Sequence, residues 1–149
     1  MKRWLFLFIC VVGGLLPARA QQAVVERNGQ GVVVRSTHGV YDSDGRLAVT
    51  ITYEYDSSGV VVSRTLQSYS KEGRPVFQEV YSVDDYLLYS EENRYDGRGN
   101  RIRCRQVSYD EDGSPVSSDF RYRYFRQDDG RWQVASIRLN GKVVYRHGQ

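Results

Sequence analysis

Five arginines in two neighbouring segments form the most chemically distinctive pattern in the sequence; they are Arg101, Arg103, Arg105, Arg121 and Arg123. Arg101, Arg103 and Arg105 alternate with other residues, so in a β-strand they share a face while Cys104 points to the opposite one. Clustered guanidinium groups bind anions. One interpretation of the cluster is a surface for an anionic glycan, a lipid head group or a peptide. The favoured interpretation is a cross-strand charge ladder, because Glu91 and Asp119 lie at matching positions.

Tyrosine is the second candidate for binding, since the chain has 12 tyrosines against 5 phenylalanines and 2 tryptophans. Flat aromatic surfaces stack sugar rings and extended peptides, but tyrosine-rich strands are also ordinary sheet formers. Both interpretations stay open. The predicted binding face consists of Arg101, Arg103, Arg121, Arg123, Tyr95 and Tyr109.

Catalytic, metal and cofactor sites are not predicted. His38 and His147 are the only histidines, and neither has a metal-ligand spacing. No phosphate-binding glycine loop, nucleophile elbow or paired cysteine motif occurs. The Asp-x-Asp-Gly segments at Asp42 and Asp110 offer hard oxygen ligands for calcium, but each leads straight into a strand without further acidic ligands, which favours turn capping. We therefore expect a protein that is not an enzyme and has no cofactor.

A recurrent turn signature must position these side chains. Tyr-Asp-x-x-Gly begins at Tyr41, Tyr55, Tyr95 and Tyr109, with relaxed copies at Tyr69, Tyr81 and Phe125. Asp at the first and Gly at the fourth position favour a type I turn followed by a glycine bulge. Between the turns run segments of alternating apolar and polar residues, as in Leu47 to Tyr55, which predict half-buried strands. The sequence thus predicts an all-β antiparallel meander of about ten strands, built from repeats of about 14 residues.

The bulged turn fixes a predicted register. One extra residue per turn places every leading tyrosine on one face, whereas two-residue turns would make them alternate. The same register places Arg105 opposite both Glu91 and Asp119, and Arg103 opposite Arg121.

The apolar side of the predicted strands is not constant. Val60, Val62 and Leu66 lie opposite the more polar Ser63, Thr65 and Gln67, so the burial side shifts along the sheet. This pattern predicts either a strongly coiled single sheet or a loosely closed barrel.

The first twenty residues predict an export signal. They contain a basic start at Lys2 and Arg3, an apolar stretch from Trp4 to Leu16, and a small-x-small end at Ala18-Arg19-Ala20. The apolar stretch is shorter than the roughly 20 residues of a membrane span. We therefore expect cleavage after residue 20, a domain over residues 21–149, no transmembrane segment in the mature chain, and a periplasmic, secreted or cell-surface location.

Cleavage would also change the charge and the cysteine count. The full chain has 21 Lys and Arg against 18 Asp and Glu, and residues 1–20 hold three of the basic residues and no acidic one, which leaves 18 against 18. The balanced charge argues against nucleic acid as a partner. Cys104 remains as the single cysteine, and its separation from the arginine face makes it a poor nucleophile.

The block Tyr41-Asp42-Ser43-Asp44-Gly45-Arg46-Leu47, followed by Tyr95-Asp96-Gly97-Arg98-Gly99-Asn100, resembles the YD repeat of Rhs and teneurin-type proteins. Those repeats build large β-hairpin shells at cell surfaces, and some encase toxins. The spacing here is tighter, and the chain is too small to enclose a toxin domain. The resemblance implies a free-standing scaffold of related architecture, without catalytic residues to transfer.

Two functions follow from the sequence. The first is an exported, non-catalytic scaffold or adhesion-type binding protein, whose Tyr- and Arg-lined sheet surface engages a surface polymer such as a glycan, or a protein. The alternative is a small-ligand carrier in which the meander closes into a barrel around a cavity. The carrier requires the first and last long strands to pair. The sequence leaves the oligomeric state open.

Overall fold

The computed structural model describes residues 23–110 and 112–148, which form one antiparallel sheet of ten strands. Each strand pairs with its neighbours in the sequence, so the predicted all-β meander is confirmed. The strands are β1 (Ala23–Arg27), β2 (Val33–Tyr41), β3 (Leu47–Tyr55), β4 (Val61–Tyr69), β5 (Pro75–Ser82), β6 (Leu87–Tyr95), β7 (Arg101–Tyr109), β8 (Pro115–Arg126), β9 (Trp132–Leu139) and β10 (Lys142–Arg146). The predicted signal segment, residues 1–20, lies outside the described residues.

The turns have the predicted bulged form. In the turn after β3, the amide of Gly59 donates to the carbonyl of Asp56 at 3.0 Å, and Gly59 has a φ of 81°. The Asp56 carboxylate caps the turn by accepting from the amides of Ser58 and Val60, each at 2.9 Å. Where the fourth-position glycine is missing, Asp85 adopts a φ of 64°. Aspartate is one of the few other residues that tolerate this conformation, so the chain keeps the same turn there.

A second irregularity follows most turns and was not predicted. Tyr95 lies opposite Arg101, as the bulged turn requires, but Arg94 then pairs with Arg103, which leaves Ile102 without a cross-strand partner. Five other hairpins skip the equivalent residue; the skipped residues are Val34, Ala48, Val62, Val76 and Leu88. The β7–β8 pair has no such shift. Each affected hairpin therefore has two extra residues in one strand. Each extra residue reverses the faces on which the following side chains lie, so the second reverses what the first had changed.

The leading tyrosines consequently alternate between the two faces of the sheet. The hydroxyl of Tyr55 lies 3.0 Å from that of Ser36, which is paired with Tyr53. The hydroxyl of Tyr69 lies 3.4 Å from that of Thr50, which points to the other side of β3. The prediction of a single tyrosine face is wrong, because the turn signature does not encode the second bulge.

The sheet is open. Every contacting pair of strands in the described ranges is a pair of sequence neighbours, so β1 and β10 stay apart and no strand folds back over another. The predicted alternatives of a closed barrel and a strongly coiled sheet are both wrong. A closed barrel needs its edge strands to meet, and the ten strands instead form one sheet that is neither closed nor strongly curled. No helix in the described ranges is long and apolar enough to cross a membrane.

With one layer the sheet has almost no core, and Cys104 is its only fully buried large side chain among the described residues, at 1% exposure. The predicted shift of the burial side is confirmed by the register. We call the two sides of the sheet the Arg103 face and the Cys104 face. Apolar side chains of β2–β5 lie on the Arg103 face; they include Val40, Val49, Ile51, Leu66 and Phe77. Those of β6–β9 lie on the Cys104 face; they include Tyr89, Phe120, Tyr122, Ile137 and Leu139.

Candidate functional site

Four arginines form a row across the second half of the sheet. Arg94 of β6 lies directly opposite Arg103 of β7, which is opposite Arg121 of β8, which is opposite Arg138 of β9. Neighbouring strands are about 4.8 Å apart, so the row extends over about 14 Å perpendicular to the strands. Like charges in directly opposed positions destabilise a sheet. The fold therefore retains an arrangement that is unfavourable unless anions compensate it.

Three further arginines flank this row on the Arg103 face. Arg105 and Arg123 lie two residues to either side along β7 and β8, and Arg146 of β10 shares a cross-strand position with Arg123 through Ser136. Six of the seven side chains are exposed, and Arg103 is half-buried. We call this set the arginine patch; it consists of Arg94, Arg103, Arg105, Arg121, Arg123, Arg138 and Arg146.

Two carboxylates compensate part of the arginine patch. Asp119 accepts from Nε of Arg103 at 2.7 Å and from Nη2 at 3.1 Å, and it also accepts from Nε of Arg121 at 3.3 Å. Glu92 accepts from Nε of Arg94 at 3.0 Å. No other strand residue of the described part of β6–β10 contributes an acid to this face. Asp119 and Glu92 thus face seven guanidinium groups.

The bidentate contact between Arg103 and Asp119 shifts the pKa of both groups. The hydrogen bonds from Arg103 hold the pKa of Asp119 below its usual range, and the same contact raises the pKa of Arg103. Both groups therefore stay charged at neutral pH. Arg105, Arg123, Arg138 and Arg146 form no ion pair within residues 23–110 and 112–148. These four side chains leave most of the patch available to an external anion.

The predicted charge ladder is half correct. Arg105 lies opposite Asp119, and Arg103 lies opposite Arg121, as predicted. Glu91, however, pairs with Gln106, and Glu92 takes the position opposite Arg105. The skipped Ile102 accounts for this error, because a one-residue slip moves a side chain to the other face.

The six residues of the predicted binding face do not form one surface. Arg103, Arg121 and Arg123 belong to the arginine patch. Tyr109 shares their face but lies six residues from Arg103 along β7, about 20 Å away at a rise of about 3.4 Å per residue. Arg101 and Tyr95 lie on the Cys104 face, because the bulge at Ile102 reverses Arg101.

The sequence alone did not identify Arg94, Arg138 or Arg146 as members of the patch. The turn at Asp96 placed Arg94 opposite Ile102 in the single-bulge register, and only the second bulge aligns it with Arg103. No motif or spacing in the sequence marked Arg138 as part of a cluster. Its place in the row depends on the pairing of β8 with β9, which shifts between Arg123 and Tyr124.

A second polar cluster surrounds Cys104 on the opposite face. Glu91 is its centre and accepts from the Tyr89 hydroxyl at 2.6 Å, from Asn93 Nδ2 at 2.6 Å and from Gln106 Nε2 at 2.9 Å. Burial by itself raises the pKa of Glu91, but these hydrogen bonds outweigh burial and hold its pKa below the usual range. All of these groups are satisfied by each other, so the cluster supports the sheet and offers no free group for chemistry.

Arg101 closes this cluster at its edge. Its guanidinium carbon lies 4.9 Å from the Tyr122 ring centroid, and Nη2 donates to the Tyr122 hydroxyl at 3.1 Å. Burial raises the pKa of the Cys104 thiol to about 11, despite the opposing charge of Arg101. A buried, protonated thiol agrees with the expectation of a poor nucleophile. The expected separation from all arginines is wrong, since Arg101 shares the face of the thiol.

The acidic turns have a structural role that the sequence predicted. Oδ1 of Asp42 accepts from the amides of Asp44 and Arg46, each at 2.9 Å, and Oδ2 accepts from Arg46 Nε at 2.9 Å. Turn capping is therefore confirmed at Asp42. His38 packs edge-on to Tyr53, and His147 packs against Phe125. The described ranges hold no group of three or more His, Cys, Asp or Glu side chains that can bind a metal ion together.

No family model matches the chain. No curated protein matches it either. A distant likeness exists to a solved structure described as "Crystal Structure of TcdB2-TccC3-TEV", with 12% sequence identity and a TM-score of 0.27. The match covers 79% of this chain and spans only 9% of that one.

Proposed function

We propose that the protein is an exported, non-catalytic scaffold or adhesion-type binding protein that engages an anionic partner through the arginine patch. One observation carries this proposal: seven arginines lie on one face of β6–β10, where the strands contribute only Glu92 and Asp119 as acids. Surface arginines in excess of their carboxylates provide unoccupied hydrogen-bond donors and a positive local potential.

The architecture supports binding over catalysis. Connections between successive strands are tight turns, and catalytic residues are usually carried by longer loops on a rigid scaffold. A single-layer sheet instead presents two broad faces to solvent. The arginine patch lies on one of them, across β6–β10, and no second layer covers it in the described ranges.

We also propose that the chain is a short-period relative of the YD repeats. The support is the Tyr-Asp-x-x-Gly turn, which here builds a bulged hairpin in every strict copy; these begin at Tyr41, Tyr55, Tyr95 and Tyr109. YD repeats serve as scaffold, which agrees with a binding role. The carrier alternative is not proposed, since it depended on closure of the sheet into a barrel.

Retention on a sulfonated cation-exchange resin at neutral pH tests the binding role. The variant Arg123→Glu/Arg138→Glu removes two patch arginines that form no ion pair with any described residue, and its matched control is Lys71→Glu/Lys142→Glu. Both controls are exposed; Lys71 lies in the β4–β5 turn, and Lys142 lies on the Cys104 face opposite Leu139. The two variants therefore carry the same change in net charge.

We expect the wild-type protein to be retained although its mature charge is balanced, because local potential and not net charge governs adsorption. The patch variant should elute at clearly lower salt than the control variant, with unchanged circular dichroism in both. Equal shifts in elution for the two variants would show that only net charge matters and would contradict the proposal.

A further inference from the structure

We infer that the arginine row binds a stretch of acidic polysaccharide, whose carboxylate or sulfate groups lie along Arg94, Arg103, Arg121 and Arg138. This inference rests on the proposed binding function and names the class of its partner. The row crosses four strands in adjacent positions, so it presents a straight line of guanidinium groups about 14 Å long. A linear polymer with regularly spaced anions matches this shape.

The energetics of the row point to an external anion. Three directly opposed pairs of like charges, Arg94 with Arg103, Arg103 with Arg121, and Arg121 with Arg138, destabilise the sheet. Asp119 contacts Arg103 and Arg121, but no carboxylate of the described residues contacts Arg138. A bound polyanion would relieve this repulsion, and the relief would contribute to its affinity.

The choice of residue also fits the chemistry of carboxylate and sulfate groups. All seven basic residues of the patch are arginines, whose planar guanidinium groups bind such anions through two parallel hydrogen bonds. Arg103 already binds the Asp119 carboxylate in this bidentate way, at 2.7 and 3.1 Å. The exposed neighbours Arg123 and Arg138 offer the same geometry to a ligand.

A nucleic acid fits the patch less well. Single-stranded nucleic acids bind to basic grooves in which aromatic side chains stack the bases. Among the described residues the row itself contains no aromatic side chain; Phe77 lies opposite Glu92 at the β6 end, Tyr109 and Phe125 lie beyond the patch along β7 and β8, and Tyr122 points to the Cys104 face. A single aromatic at one end of the row does not provide a stack for successive bases. The patch is also flat, so it offers no helix or ribbon to enter a duplex groove.

A protein partner is also disfavoured. Energetic hot spots of protein interfaces are buried aromatic or aliphatic anchors that accompany arginine. The positions between the patch arginines are Glu92, Asp119 and Ser136, which are polar. Two exposed apolar side chains on this face, Phe77 opposite Glu92 and Val143 opposite Arg138, lie at the two ends of the row and not at its centre, where hot spots cluster. Recognition mainly by charge and hydrogen bonds suits a hydrated, hydroxyl-rich polymer.

Isothermal titration with defined polymers tests the inference. The probes are polygalacturonate, which carries carboxylates, heparin, which carries sulfates, neutral dextran, and a single-stranded oligodeoxynucleotide of equal charge. We expect at least one acidic polysaccharide to bind, dextran to show no binding, and affinity to fall steeply with salt because counterions are released.

Matched variants locate the site. Arg123→Gln/Arg138→Gln should weaken polysaccharide binding by about tenfold or more, as loss of two charge-assisted contacts implies. Lys71→Gln/Lys142→Gln should keep the affinity within about twofold, since Lys71 lies in the β4–β5 turn and Lys142 points to the opposite face of the sheet. Tighter binding of the oligonucleotide, equal binding of dextran, or equal effects of the two variants would overturn the inference.

The outcomes separate this inference from the proposed function. If patch-dependent retention on the sulfonated resin persists but neither acidic polysaccharide binds, the polysaccharide is the wrong partner and the binding patch stands. If retention does not depend on the patch, both proposals fail.

Discussion

Replacement of Gly59 by alanine tests the bulged turn that joins β3 and β4. Gly59 has a φ of 81°, and an added Cβ would meet no heavy atom within 4 Å. The substitution therefore changes only the backbone conformational energy. A left-handed conformation costs an L-residue about 1–2 kcal/mol. The lower entropy of the unfolded alanine chain offsets about 0.4–1 kcal/mol of this cost. We expect Gly59→Ala to lower the free energy of unfolding by about 1 kcal/mol.

Gly97 provides a matched control within the same type of turn. It is the second residue of the Asp96 turn, its φ is not in the left-handed range, and its added Cβ would also meet nothing within 4 Å. Gly97→Ala should therefore stabilise the protein by about 0.4–1 kcal/mol through the unfolded chain alone. Gly59→Asn should lose less stability than Gly59→Ala, since Asn tolerates this conformation.

Urea unfolding followed by far-ultraviolet circular dichroism measures these differences as shifts of the midpoint at constant slope. The two alanine variants should move the midpoint in opposite directions. Equal destabilisation by both, or an unchanged midpoint for Gly59→Ala, would refute the assignment of the glycine bulge.

Three further predictions concern the thiol, the turn carboxylates and the signal segment. Burial raises the pKa of the Cys104 thiol to about 11 from the ordinary 9.0, so only about one thiol in a thousand is ionised at pH 8. Disulfide reagents should therefore label the native protein at least about 100-fold more slowly than the urea-unfolded chain. Comparable labelling rates would contradict the burial of Cys104. Hydrogen bonds from the Ser58 hydroxyl and the Val60 amide lower the folded-state pKa of Asp56, so its stabilising contribution is present above about pH 4 and is lost as the pH falls through the folded-state value. Asp56→Asn, which keeps the acceptor, should therefore reduce the drop in urea midpoint between about pH 6 and pH 3, and an unchanged drop would show that Asp56 does not contribute. Terminal sequencing of exported protein should begin at Gln21, and retention of residues 1–20 would disprove the predicted cleavage.

The sequence by itself determined the turns, and through them the order and direction of the strands. Asp56 and Gly59 illustrate the reason: the carboxylate caps amides two and four residues away, and the glycine adopts its φ locally, so residue types at adjacent positions are sufficient. Because all connections are tight turns, antiparallel pairing of sequence neighbours follows directly. No pairing between residues far apart in the chain had to be predicted.

The assignment of side chains to faces was decided only by the tertiary structure. The skipped Ile102 reflects how β6 and β7 align over their full lengths, and no short motif marks it. Since side chains alternate along a strand, that single residue moved Arg101 to the Cys104 face and exchanged Glu91 for Glu92 opposite Arg105. The sequence thus contained the arginines of the candidate site, but their alignment into a row depends on cross-strand register, which is set by contacts between strands and not by the turns alone.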